Sequence, residues 1–302
     1  MTERAPFSPG LWPQEIRFFP HEPSFADPIQ ARLTELPPGQ MSAWASSHPG
    51  CGIFFCTGPG AVMARVGHEE YLLREGWGVL VPPGAPFCWF AERERSGMLG
   101  VLFRQGELLA DMEPAEMAGF FAAFRFGKKG GLLIKAEKNS RIVIEGNLQA
   151  MLPVGGVARQ GRGLRRKLRL VEIILQLVDR RSNGVDRGKL IWRQEDWDRL
   201  PAVVSYLHQR HNEELYAQQI QKALRLPKDY LATTFPLIMG QRWNQYLLEY
   251  RIRRAAAHLL QDRARISAAA LESGFSTLSH FNSSFRKVTG LSPRDFVSGR
   301  RT

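Results

Sequence analysis

The chain has 302 residues, 44% hydrophobic and 23% charged, which fits a soluble globular protein of two domains more easily than one. Its net charge of +12 and pI near 10.0 point to a polyanionic partner. No apolar run reaches membrane-span length and residues 1–19 lack the apolar stretch of a signal peptide. Three cysteines without a CxxC pair suit neither a disulfide framework nor a zinc site, so a cytoplasmic protein without cofactor is expected.

The first half reads as β-rich. Runs such as "GIFFC", "AVMARV", "EEYLL", "GVLVPP" and "GMLGVLF" are short, apolar and separated by Gly, Pro and charged turns. From "MEPAEM" onward the pattern turns helical or mixed. Within "GRGLRRKLRLVEIILQLVDRRSNG", Leu164, Leu168, Val171, Leu175 and Val178 step by 4, 3, 4, 3, the spacing of a heptad seam. That stripe suits either a dimer contact or packing on its own domain, and Arg162, Arg165, Arg166 and Arg169 beside it suit an anionic ligand as a further alternative. "SNGVDRGK" breaks the helix, placing a linker at about residues 183–194. The positive charge is confined to the later part: residues 159–193 hold 11 Lys/Arg against 3 Asp/Glu, and residues 197–302 hold 16 against 8.

The last third contains one pattern twice, "YAQQIQKALRLPKDYLATTFPLIMG" and "ISAAALESGFSTLSHFNSSFRKVTG". Each is a short amphipathic helix, a turn, and a second helix ending in Gly five residues after a Phe: Phe235 to Gly240 and Phe285 to Gly290. In the second copy Thr277 is placed to cap the helix. Leu278, Phe281, Phe285 and Val288 share one side, while Ser279, Ser283, Arg286 and Lys287 share the other with His280 on its flank. Small hydroxyls let a helix approach base edges closely, and cations near its end meet phosphates.

On these residues the region Leu200–Phe296 resembles the double helix-turn-helix domain of the AraC/XylS family. The hallmark is carried by Ile266, Ala269, Gly274, Phe275, Thr277, Phe281, Phe285, Arg286, Lys287, Gly290, Ser292, Pro293 and Phe296. The connecting helix is carried by Tyr246, Leu247, Arg251, Ile252, Ala255, Leu259 and Leu260. Two departures stand out: Pro227 where a Ser or Thr cap is usual, and Pro236 where a basic residue is common. The resemblance places Lys228, Asp229, Ala232 and Thr233 of the first motif on DNA, with Ser279, His280, Ser283, Ser284, Arg286 and Lys287 of the second. The second is expected to grip harder, because Asp229 is repelled by phosphates.

"LLREGWGVLVPPGAPF" resembles a cupin-like sensor segment, with Gly76 and Pro82-Pro83-Gly84 matching and Phe87 standing in place of a histidine. Ala43 and Ala45 occupy positions where metal cupins carry imidazoles, so no metal is expected. His48, His68, Glu69 and Glu70 read as solvated turn residues rather than replacement ligands, and Cys51, Cys56 and Cys88 as small core residues. Trp44, Trp77, Phe87 and Trp89 are candidates for an effector pocket, with core packing as the competing reading.

The expectation is therefore an α+β chain in three parts. Residues 1–158 form a cupin-like β-barrel sensor, 159–194 a basic helix and linker, and 195–302 an all-α DNA-binding domain. The resemblance implies a transcription activator, not an enzyme and without catalytic residues, whose partners are a double-stranded operator, RNA polymerase, a small effector (a sugar by analogy with the melibiose regulator subgroup) and a second copy of the chain. Control by a protein partner or an anionic effector is one alternative; a metal-free cupin-fold enzyme with a DNA-binding tail is another.

Overall fold

The computed structural model describes residues 28–42, 50–91, 93–110, 112–113, 116–117, 120, 130–153, 162–178, 183–186, 194–261 and 265–298. The apolar runs become strands: β1 (Ile29–Leu36), β2 (Gln40–Met41), β3 (Cys51–Thr57), β4 (Val62–Val66), β5 (Glu69–Leu73), β6 (Trp77–Val81), β7 (Phe87–Ala91) and β8 (Ser96–Phe103). With β9 (Leu132–Ala136) and β10 (Asn183–Asp186) they make two sheets, ordered β1-β8-β3-β6-β9-β10 and β2-β7-β4-β5. Every pairing is antiparallel. The sheets keep separate edges, so the expected barrel is an open two-sheet sandwich. The break expected at residues 183–194 is partly strand, since Asn183–Asp186 pair with Leu133–Ala136 at the sheet edge.

β3 is apolar on both faces because both are covered. Phe54 and Cys56 face the smaller sheet, in a core with Val62, Val66, Phe87, Trp89 and Met98. Phe54 lies across glycine backbone: a Cβ on Gly100 would stand 2.3 Å from its ring, and one on Gly52 2.5 Å. Cys51, Ile53 and Phe55 face the other way, where helices cover the larger sheet.

Those helices are α1 (Gln105–Leu109), α2 (Lys138–Met151) and α3 (Arg162–Val178). α2 buries Ile144, Leu148 and Met151; α3 buries Leu170, Ile173, Ile174 and Leu177. The leucine stripe read from the sequence lies on the opposite side of α3. Leu164, Leu168 and Leu175 are 64%, 61% and 56% exposed and Val171 is half-buried, so the stripe is not internal core.

The C-terminal region is helical: α4 (Gln194–Asp198), α5 (Leu200–Gln209), α6 (Ala217–Ala223), a π-helical turn (Tyr230–Thr234), α7 (Phe235–Met239), α8 (Trp243–Leu259), α9 (Ile266–Glu272), α10 (Leu278–Thr289) and α11 (Pro293–Ser298). It contains two cores. Leu200, Val203, Leu207, Tyr230, Phe235, Tyr246 and Leu247 continue the core beneath the larger sheet. Ile252, Ala255, Leu259, Phe275, Phe281 and Phe285 form a separate one. Among the described residues no helix is long and apolar enough to cross a membrane.

The first of these cores is tied to the sandwich by charge. Arg104, the last residue before α1, donates from Nη2 to both carboxylate oxygens of Glu249 in α8, at 2.6 and 2.5 Å, and to Gln241 Oε1 at 3.2 Å. Their side chains are only 13% and 9% exposed. Arg253 donates to the Gly106 carbonyl and pairs with Glu107 at 3.2 Å. A Cβ on Gly106 would meet Tyr246 and Arg253, both at 3.2 Å, so glycine permits this close approach of α1 to α8.

Candidate nucleic-acid interface

In the second motif α9 ends at Glu272 with Ser273 as its C-cap, and Gly274 turns the chain with φ 83°. A Cβ at Gly274 would stand 2.6 Å from the His211 carbonyl, so the turn is fixed sterically as well as by φ. Thr277 Oγ1 accepts the His280 N–H at 3.3 Å, satisfying one of the free donors at the start of α10. Phe281 and Phe285 are fully buried, 5.4 Å apart, with Phe275 and Phe296 against them. Opposite these rings Ser279, His280, Asn282, Ser283, Arg286 and Lys287 are exposed, and none is acidic. Arg286 and Lys287 fall in the last turn, where the negative end of the helix dipole favours cations. Beside this face runs an open groove of about 790 Å³ lined by Ile266, Leu278, Asn282, Ser283, Arg286 and Arg294, among others.

Ser284 departs from the expectation. It is 6% exposed, because one step before Phe285 the helix is still turned toward its core. Asn282, missed in the sequence, takes its place on the outer face. Its amide offers donor and acceptor together, as adenine recognition requires. The signal was its position one helical turn before Arg286.

The first motif repeats the second in register. Gly240 closes α7 at φ 70° as Gly290 closes α10 at φ 81°, and both are left-handed caps. Leu231, Thr234 and Phe235 are buried, as are Phe281, Ser284 and Phe285. Lys228, Asp229, Ala232 and Thr233 are exposed as expected. Pro236 has no N–H to give and its ring crowds the carbonyl four residues back; here the preceding turn widens, and the Phe235 N–H bonds to the Tyr230 carbonyl five residues earlier. Tyr230 is anchored in turn by its hydroxyl, which donates to the Asp196 carbonyl at 2.5 Å.

The two motifs are joined by α8. Its Arg251 donates from Nε to the His211 carbonyl and from Nη2 to the Glu213 carbonyl, both at 2.6 Å, holding the loop between α5 and α6. His208 Nε2 lies 2.8 Å from the Tyr246 hydroxyl, and its ring stacks on Tyr250 at 3.9 Å.

Comparison with known proteins agrees with this geometry. A family described as "Helix-turn-helix domain" matches residues 220–299. The HTH-type transcriptional regulator ArgR of Pseudomonas aeruginosa is 29% identical over 128 residues, 41% of this chain. Residues 220–299 form a helix-turn-helix domain of the AraC type. The chain spans 39% of the length of that curated relative. Among solved structures, an AraC-type transcriptional regulator from Chromobacterium violaceum is 27% identical and covers 36% of this chain and 96% of its own, with a TM-score of 0.33. ToxT from Vibrio cholerae, solved with an unsaturated fatty acid bound, is 15% identical and covers 89% of this chain and 95% of its own, with a TM-score of 0.37.

Away from the AraC-type domain, the four aromatics considered for an effector pocket separate. Trp44 lies outside the described residues, as do Ala43, Ala45 and His48. Phe87 and Trp89 are core residues, 1% and 2% exposed, and with Phe54 they form a triangle of rings 5.0–5.1 Å apart. Trp77 is half-buried, with the Lys135 ammonium 4.4 Å from its ring centroid. Cys51, Cys56 and Cys88 are buried free thiols; burial pushes Cys56 up to about 12 and raises the other two, so none is a poised nucleophile. His68 sits in the β4–β5 turn as expected, whereas Glu69 and Glu70 are strand residues that open β5, paired with Val66 and Arg65 of β4. Glu69 accepts from the Tyr71 hydroxyl at 2.5 Å, and no three potential metal ligands cluster among the described residues.

Proposed function

We propose that the chain is a cytoplasmic, sequence-specific transcription regulator that binds double-stranded DNA as a homodimer and responds to a small-molecule effector through its sheet-rich domain. The observation that carries this is the repeat: two capped reading helices of one register, mounted at the two ends of α8, with α10 offering small polar groups and two cations. Ser279, His280, Asn282 and Ser283 meet base edges; Arg286 and Lys287 meet phosphates. The sheet-rich domain supplies the control. Because it shares a core with the first motif and the Arg104–Glu249 pair with α8, a ligand that prefers one arrangement there shifts the DNA-bound population by up to its own differential free energy. RNA polymerase is the partner through which binding becomes activation, and Leu164, Leu168 and Leu175 of α3 meet a second copy.

The test is selection of the full chain against a randomised duplex library. A recovered sequence with two half-sites, each holding two major-groove windows about one helical turn apart, is expected. Failure to enrich any sequence over random duplex, across a panel of sugars and anionic metabolites, overturns the reading. A thermal-shift screen of that panel identifies the effector class, since a ligand binding only the native form raises its melting temperature.

A further inference from the structure

The shared register of the two motifs lets their outer faces be compared position by position. Asn282, Ser283, Arg286 and Lys287 correspond to Ala232, Thr233, Pro236 and Leu237, counted from the buried Phe and the left-handed Gly of each copy. Burial agrees at three of the four pairs, Ala232, Thr233 and Leu237 being exposed like their counterparts in α10, while Pro236 is half-buried where Arg286 is exposed. Leu237 is 56% exposed. The Thr233 hydroxyl donates to the Asp229 carbonyl at 2.7 Å, leaving the residue an acceptor oxygen and a methyl to offer. The first reading face is thus the second with its cations and its amide replaced by hydrocarbon. Asp229 and Lys228 flank it with one charge of each sign.

We propose that this first reading helix is a thymine reader that recognises the C5-methyl group through Ala232 and Thr233, the counterparts of Asn282 and Ser283. The proposal rests on the DNA-binding function above and adds which base chemistry the first motif selects. Every base edge in the major groove presents donors or acceptors, and thymine alone of the four bases adds a methyl. Hydrocarbon laid over polar edges leaves them desolvated and unpaired, which is costly. Laid over a methyl, it buries apolar surface on both sides. Pro236 and Leu237 release no counterions, so specificity from this helix comes without the salt dependence that Arg286 and Lys287 bring.

The test uses the full chain and a duplex recovered by the selection above, with each thymine replaced in turn by deoxyuracil, which removes the methyl and nothing else. In one window of each half-site, each touched thymine is expected to lose about fourfold in affinity, the worth of one buried methyl. The other window is expected to respond to Asn282→Ala and not to deoxyuracil. Ala232→Ser should abolish the deoxyuracil effect at the thymine it covers; being exposed, it should fold, and its melting temperature checks this. Leu237→Lys should bind all DNA more tightly, with about one more unit of salt slope.

Selection that succeeds with no deoxyuracil effect in either window overturns the thymine proposal and leaves the regulator reading standing. So does an effect that persists undiminished in Ala232→Ser. An Ala232→Ser, Thr233→Ser variant that binds DNA unchanged but loses polymerase-dependent transcription assigns the face to a protein and also overturns it. Selection that recovers nothing overturns both readings together.

Discussion

Replacing Glu249 with Leu removes one member of an ion pair that is almost out of water. The Arg104 guanidinium, 13% exposed, would then keep a single partner, the Gln241 side-chain oxygen at 3.2 Å. Stranding a buried charge in this way costs about 3–5 kcal/mol. Some relief comes from Gln245, whose amide now donates to Glu249 at 3.0 Å and would be freed, so the lower half of that range is expected. Arg104→Met should cost a similar amount by stranding the carboxylate. The double variant, with hydrocarbon on both sides, should recover most of the loss, because the desolvation of two charges disappears along with their attraction. Urea unfolding of the four proteins at pH 7, compared at constant m, gives the cycle. Single variants within about 1 kcal/mol of the parent, or a double variant whose loss equals the sum of the singles, would refute the view that this pair is a buried coupling between the domains.

In the second motif, Arg286→Ala should weaken operator and random duplex alike and flatten the salt dependence by about one unit, whereas Ser283→Ala or His280→Ala should narrow the ratio between the two DNAs at unchanged slope. Titrations at several salt concentrations separate these outcomes. Along α3, the pairing Leu164 to Leu175 and Leu168 to Val171 in an antiparallel dimer would set Arg165 opposite Glu172 of the second copy, both exposed. Leu168→Asp with Leu175→Asp should therefore give a folded monomer in ultracentrifugation, and Arg165→Glu should weaken a dimer that Glu172→Arg restores. Burial pushes the pKa of His211 below the ordinary imidazole value, with Arg254 and Arg251 lowering it further against the bond to the His208 carbonyl. The unfolded chain thus binds the proton more readily, and stability should fall as pH drops through about 6.5 toward the folded value, then level off. His211→Gln should show a shallower decline between pH 7 and 5 in thermal melts.

What the sequence discloses, and what it hides, divides by range. α10 is legible because its signals are local: a cap at Thr277, two phenylalanines one turn apart and a glycine stop. A helical wheel drawn from those anchors places the outer residues correctly apart from Ser284 and Asn282, which lie near the boundary between faces. The apolar seam of α3 is equally periodic, yet its direction is not readable. Leu170, Ile173, Ile174 and Leu177 form a second stripe on the same helix, and only the sheet decides which stripe is covered. Aromatic content near a sheet likewise fails to separate pocket from core: Phe87 and Trp89 fill the space between the sheets. The Arg104–Glu249 contact joins residues 145 apart, and no spacing announces it.

α8 is divided between two cores, with Tyr246 and Leu247 in one and Ile252, Ala255 and Leu259 in the other. It therefore indexes the two motifs to each other as a keyed shaft does two cams. A residue added near Leu248 would advance the far end by about 1.5 Å, which side chains absorb, and turn it by about 100°, which they do not. The second reading helix would then face away from the groove that the first still enters. Surface loops can change length with little consequence for DNA geometry, but between Tyr246 and Leu259 the number of residues is itself a specification of phase.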